Sequence, residues 1–262
     1  METANKKITP ALFVSHGSPM NAVAKNEYTN DLNKIGEKLS HVSAILVISA
    51  HWETNGISIT SSETLSTYHD FGGFPQELFD VEYPVKGALH LIPEIEKLVG
   101  EPIKHDAQRG LDHGAWSMLV HLFPNGNIPV LQLSLDRTKT FEQHYELAKK
   151  LATLREKNVL ILLSGNLTPS LSHADMRNVD AKPVDWAVSF DETIKNAFLN
   201  NDAYTLVNIK TLRKDYKMNH PSDDHFIPLL YLIGVENEND EVSFPHMSWQ
   251  HATLSMRHIM LN

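Results

Sequence analysis

The sequence predicts a single α/β domain over residues 1–262, with a mostly parallel central sheet and helices on both faces. Three observations predict it. Short, nearly continuous apolar runs rich in Val, Ile and Leu recur along the chain, as in strands buried on both faces of a parallel sheet. Segments with apolar residues at helical spacing lie between these runs, and that alternation is the pattern of strand–helix–strand units. No repeat, low-complexity stretch or long linker divides the chain, and 262 residues lie within the range of one large α/β domain.

Taken in order, Ala11–Ser15 reads as the first strand and Glu27–Leu39 as the first helix. Ala44–Ala50 is a second strand, followed by a weaker one at Gly56–Thr60. Leu89–Val99 and Ala115–Phe123 carry helical spacing, and Ile128–Ser134 is a third strong strand. Thr140–Arg155 is the next helix, and Asn158–Ser164 is the fourth strong strand. Asp185–Leu199 and Asp202–Leu212 form a helical pair, and Val242–Pro245 is a weak final strand.

Composition excludes several function classes. The chain has 42% hydrophobic residues, enough for a substantial core, and a formal net charge of -9, which gives nucleic-acid binding no electrostatic support. Cysteine is absent, so disulfides, thiolate metal sites and cysteine nucleophiles drop out together. Any metal is therefore held by nitrogen and oxygen donors. The polar opening Met1–Lys7 and the short run after it predict no leader, and no apolar run reaches membrane-spanning length; the expectation is a cytoplasmic protein. The 15 histidines are scattered along the chain, unlike an affinity tag.

In open α/β sheets ligands sit beyond the carboxyl ends of the strands. The first strand runs into His16-Gly17-Ser18-Pro19-Met20 and the second into His51-Trp52-Glu53. A single histidine at a strand end is an ordinary core or surface residue; two at equivalent ends read as metal ligands. Gly17 and Pro19 suit a tight turn. A third ligand, His225, comes from His220-Pro221-Ser222-Asp223-Asp224-His225-Phe226-Ile227. Ser222 or Asp223 reads there as a helix N-cap, which puts His225 in the first helical turn, with the two aspartates serving the cap and dipole rather than a metal. Three side-chain ligands leave open coordination positions, as in catalytic rather than structural sites, and iron(II) and zinc both suit such donors.

Two further segments read as pocket parts. Tyr68-His69-Asp70-Phe71-Gly72-Gly73-Phe74 is either a cover for a flat ligand, through Phe71 and Phe74, or an ordinary surface loop with one buried Phe. Asp112-His113-Gly114 places His113 at a helix start, where it binds substrate or orients a ligand. The histidines at 41, 90, 105, 121, 144, 246, 251 and 258 show no partner pattern and read as ordinary.

Together His16–Met20, Ser49–Trp52, His69–Pro75, Asp112–Gly114, Ser164–Asn166 and His225–Leu230 resemble, in order, the 4,5-DOPA extradiol dioxygenase type of the class III extradiol ring-opening family. The resemblance covers nearly the whole chain, to Thr253–Met256. It implies a ring-cleaving dioxygenase with one Fe(II) or Zn(II) per chain on His16, His51 and His225, a small aromatic diol (DOPA-like catechol) and O2 as partners, and Phe71, Phe74 and Asn166 against the substrate. The diol binds the metal through both oxygens and opens beside them to a semialdehyde. One position departs from the pattern: the family's acid/base histidine falls on Pro169. General acid–base catalysis contributes about 10²–10⁴-fold, so three readings stay open: an enzyme impaired by Pro169, a role taken over by His113 or His173, or another reaction on the same site. The alternatives are a zinc-dependent hydrolase using Glu53 or Asp112 as base, and a non-catalytic catechol- or metal-binding protein.

Overall fold

The apolar runs become strands whose successive side chains face opposite, equally apolar layers. The computed structural model describes residues 8–262; the Met1–Lys7 stretch read for a leader lies outside them. Its main strands are β1 (Ala11–Ser15), β2 (Ala44–Thr54), β3 (Ile57–Thr60), β4 (Ile103–Asp106), β5 (Val130–Asp136), β6 (Val159–Gly165), β7 (Val242–Ser243) and β8 (Ile259–Leu261). They form one eight-stranded sheet in the order β4-β3-β5-β2-β6-β1-β8-β7. The central β5, β2, β6 and β1 pair in parallel, while β3 meets β5 and β8 meets β1 antiparallel. A parallel centre with antiparallel edges is common in large α/β sheets.

The principal helices are α1 (Glu27–Leu39), α2 (Ile92–Val99), α3 (His113–Leu122), α4 (Phe141–Leu151), α5 (Asp185–Leu199) and α6 (Ile227–Gly234). Alternation along the strands divides them between two cores. Leu12, Val14, Ile45, Val47, Leu160 and Leu162 pack with Leu32 of α1 and Trp116 and Leu119 of α3. Phe13, Leu46, Ile48, Ile161 and Leu163 pack with Ile95 of α2, Leu147 of α4, Phe190 of α5 and Leu230 of α6. Helices therefore cover both faces, as predicted. Each such side chain contributes about 1.5–3 kcal/mol by burial, so neither layer tolerates a charged substitution. Among the described residues no helix is long and apolar enough to cross a membrane.

Several boundaries differ from the sequence reading for local reasons. The Thr140 helix is capped by a reciprocal Thr140–Gln143 pair and turns 3₁₀ after Leu151. Pro93 lies in the first turn of α2, and Leu89–Leu91 before it is a separate 3₁₀ turn. The helix predicted at Asp202–Leu212 breaks into Ala203–Val207 and Ile209–Leu212 at Asn208. β4 and β8 lack the long apolar runs that mark a strand: β4 is an edge strand of Ile103, Lys104, His105 and Asp106, partly exposed, and β8 has three residues.

Candidate metal centre and its cavity

His16 follows the last residue of β1, where Ser15 lies beside Gly165 of β6. His51 stands not after β2 but inside it, because the strand continues to Thr54 through a register break between Ile48 and Glu53. Such bulges turn a side chain out of the regular pleat. Ser49 Oγ accepts from the His51 backbone N–H at 3.2 Å and donates to Asp112 at 2.7 Å, which fixes the irregular segment. His225 precedes α6, whose N-cap is Phe226, and sits in the turn that starts at Asp223. The predicted first-turn position is therefore corrected: the apolar run, not the acidic pair, begins the helix.

Backbone proximity brings the third ring in. The Asn166 N–H donates to the His225 carbonyl at 3.3 Å, and a Cβ on Gly165 would run into that same carbonyl. Only glycine lets the turn lie against the strand end. Gly17, at φ +63, turns the chain back just after His16, with its N–H on Asn166 Oδ1 at 3.1 Å. Asn166 thus ties the His16 turn to the His225 turn, and its amide nitrogen has no protein partner among the hydrogen bonds of the described residues.

The three imidazoles converge. His16 Nε2 and His51 Nε2 lie 3.0 Å apart, and one ligand atom from each of His16, His51 and His225 falls within 4.8 Å of the others. The opposite nitrogens of two of them are anchored. His16 Nδ1 shares a 2.9 Å hydrogen bond with Ser164 Oγ, and His225 Nδ1 lies 3.1 Å from the Asp224 carboxylate. Anchoring Nδ1 fixes ring orientation and leaves Nε2 as donor, the arrangement found around metal-binding histidines. Asp224 is therefore a supporting carboxylate, not a ligand or a cap. Burial, then the neighbouring His51, His225 and His113 rings, holds His16 well below its ordinary pKa. Burial, then His225 and His113, does the same for His51. Both rings are neutral near pH 7, with lone pairs available to a cation. Three converging imidazoles, with the outer nitrogens of His16 and His225 held by the protein, suit a divalent transition metal.

His113 is a fourth ring at this point, 3.9 Å centroid to centroid from His51. It is the first residue of α3, and Asp70 accepts from both its backbone N–H and its Nδ1, each at 2.9 Å. Burial opposes ionisation of Asp70, but the hydrogen bond and charge of His113 win and lower its pKa.

The rings open into a cavity of about 560 Å³, within the usual range for small-molecule sites of about 300–1,000 Å³. Phe74, Asn166, Pro169, Met176, His251 and Leu254 line it beside the histidines. Phe74 faces the cavity; Phe71 stands behind it, against Phe74, Phe79, His113 and Trp116. The loop is thus an aromatic wall in which Phe71 supports rather than lines. His173 lies in a short exposed 3₁₀ turn, its Nδ1 near Ser170 and Ser172 and its ring edge-on to Trp186, and it is not among the cavity's lining residues. Its expected catalytic position is corrected: Pro169 ends the strand-end segment and the loop carries His173 outward. The bases considered for hydrolysis are also displaced. Glu53 is exposed and outside the lining, and Asp112 is buried as the cap of α3 with its carboxylate held by Ser49, Gln132 and Ala115.

His251 and Met176 escaped the sequence reading. His251 sits in the turn between Trp249–Gln250 and Leu254–Ser255, outside any periodic element. A usable signal was the long irregular loop 166–184, since structureless loops beyond about 12–15 residues are uncommon and often functional.

Fold and site together define a doubly covered α/β protein with an open three-imidazole cluster at the carboxyl edge of its parallel strands. The chain belongs to the family of the catalytic LigB subunit of aromatic ring-opening dioxygenase, which matches residues 10–261. It is 36% identical over 257 residues to a 4,5-DOPA dioxygenase extradiol from Escherichia coli (strain K12), covering 96% of this chain and 94% of that protein. It is 35% identical over 256 residues to a 4,5-DOPA dioxygenase extradiol from Beta vulgaris, covering 95% and 94%. The crystal structure of an uncharacterized protein from Escherichia coli K12 superposes with a TM-score of 0.84 at 32% identity, covering 97% of this chain and 100% of that one.

Proposed function

We propose that this protein is a metal-dependent extradiol dioxygenase that opens the ring of a catechol-type diol with O2. One observation carries the reading: His16, His51 and His225 bring three imidazoles to a single point that opens on a ligand-sized cavity. They would hold one iron(II) per chain; zinc suits the same donors but lacks the redox change that O2 chemistry uses. When bound, the metal supplies a common binding point for diol and oxygen and moves electron density between them.

The chain's own groups do the rest. His113, fixed by Asp70, presents its Nε2 beside the metal point and is placed to hydrogen-bond a diol oxygen. The Asn166 amide nitrogen, without a protein partner among the described residues, is a second donor toward the same space. Phe74 and Leu254 give the ring apolar walls and exclude water from them. Among the described residues no lysine, arginine or carboxylate lines the cavity, which supports recognition through the ring and diol rather than a charged tail. The absence of cysteine fits a reducing, cytoplasmic setting.

The test is anaerobic loading with Fe(II), addition of caffeate or DOPA, and admission of air. Oxygen uptake with a yellow semialdehyde is the expected result, and a zinc-loaded sample should give neither. No uptake from the iron-loaded protein or from a Pro169→His variant sinks the proposal.

A further inference from the structure

We infer that His251 is the proton acceptor for the diol, delivered to the cavity by a hairpin that clamps the segment around Pro169. The inference rests on the catechol reading of the cavity. A diol that binds a cation through both oxygens must release hydroxyl protons, and a nearby imidazole is the usual recipient. Pro169 lines the cavity but has no side chain that accepts a proton.

The hairpin is fastened on both sides of that proline. Thr168 Oγ1 donates to the Thr253 carbonyl at 2.7 Å and accepts from the Ser255 N–H at 2.9 Å. Thr253 Oγ1 donates to the Ser170 carbonyl at 2.9 Å. These bonds are buried, so the hairpin and the Thr168–Ser170 segment move as one piece. Leu254 and His251 of the same hairpin both line the cavity.

The ring is also oriented. His251 Nδ1 lies 3.0 Å from the Asp175 carbonyl oxygen. A carbonyl only accepts, so Nδ1 carries the hydrogen and the neutral ring keeps its lone pair on Nε2. The backbone is held by the same loop: the His251 N–H donates to Val179 O at 2.8 Å, and the Asp175 N–H donates to His251 O at 2.9 Å. His251 and Ala252 have φ of +54 and +67, the left-handed region that glycine would occupy more readily. An imidazole is kept where the backbone favours glycine.

In the step itself the O–H bond of one diol hydroxyl breaks, a bond forms between that hydrogen and Nε2, and a catecholate oxygen and an imidazolium result with no change in total charge. The same proton returns when the ring opens. The charged groups on the loop that holds His251 are Asp175, Arg177, Asp180 and Lys182; across the cavity it meets His16, His51, His113 and His225.

His251→Gly tests this without straining the turn, and His251→Gln keeps the side-chain bulk. Anaerobic 4-nitrocatechol titrated into zinc-loaded protein reports ring ionisation by colour, independently of turnover. Both variants should keep the metal, ionise bound nitrocatechol at a pH higher by about 1–3 units, and lose about 10²–10⁴-fold in kcat with iron while KM changes little. Free imidazole should rescue His251→Gly, and so should a second substitution, Pro169→His. If wild-type protein ionises nitrocatechol and turns over catechol but the variants match it in both, the His251 assignment falls and the dioxygenase reading stands. If wild-type protein neither binds nitrocatechol nor consumes oxygen, both fall.

Discussion

Two clusters of histidines lie near α1, and they differ in what their nitrogens face. At the cavity, the His16 and His51 centroids are 4.8 Å apart and those of His16 and His225 are 5.0 Å apart. At the other cluster, His246 and His258 are 5.2 Å apart, with Tyr28 against both. Spacing alone does not separate the two. In the second cluster, His246 spends Nδ1 on Asp31 at 2.9 Å and Nε2 on Ser248 at 2.8 Å, while the ring of His258 is fully buried without a hydrogen-bond partner among the described residues. In the first, one nitrogen of His16 and of His225 is anchored and the other is left to the common point. Histidines become a metal site when each ring keeps a nitrogen aimed at shared space rather than spending both on protein partners.

That contrast can be broken outright by removing a ligand. His16→Ala, His51→Ala or His225→Ala should each abolish stoichiometric metal and reduce oxygen uptake to background, whereas His246→Gln should leave metal content intact; elemental analysis of the purified variants reads this directly. Equal metal loss in the second cluster would overturn the distinction.

A smaller effect tests the anchoring. Asp224→Asn keeps His225 but weakens the hold on its Nδ1, so metal affinity should fall about 10–100-fold. Competition with a chelator measures it, and an unchanged Kd would show that the carboxylate serves only the turn.

The second cluster should instead reveal itself in stability. Burial, then the nearby His246 ring, pushes the His258 pKa from the ordinary 6.5 down to about 3. Between those values the unfolded chain binds a proton that the folded chain refuses, so stability falls as pH drops below about 6.5. The contribution lost between pH 7 and pH 5 is about 2 kcal/mol. His258→Leu should flatten urea unfolding midpoints over that interval by this amount, and a slope identical to wild type would refute the burial argument.

The smallest expected effect is at His173. Being exposed and outside the cavity lining, it should tolerate alanine with unchanged kcat and a stability change within about 0.5 kcal/mol. A large drop in kcat would return it to the site.

The central strands and two of the metal-ligand candidates were determined by the sequence alone. Apolar runs at Ala11–Ser15 and Ala44–Ala50 are continuous because both faces of those strands are buried, and His16 and His51 directly follow such runs. The edge strand Ile103–Asp106 lacked that signature because one of its sides meets solvent. Tertiary structure decided the rest. His225 reaches the cluster because its turn crosses Gly165, His173 leaves it because the loop after Pro169 swings outward, and His251 enters the cavity through hydrogen bonds between Thr168, Ser170 and a hairpin far along the chain. Periodicity records which face of an element is buried; it holds no information on which distant turns share a cavity, because that depends on close backbone approaches formed only when the sheet is assembled.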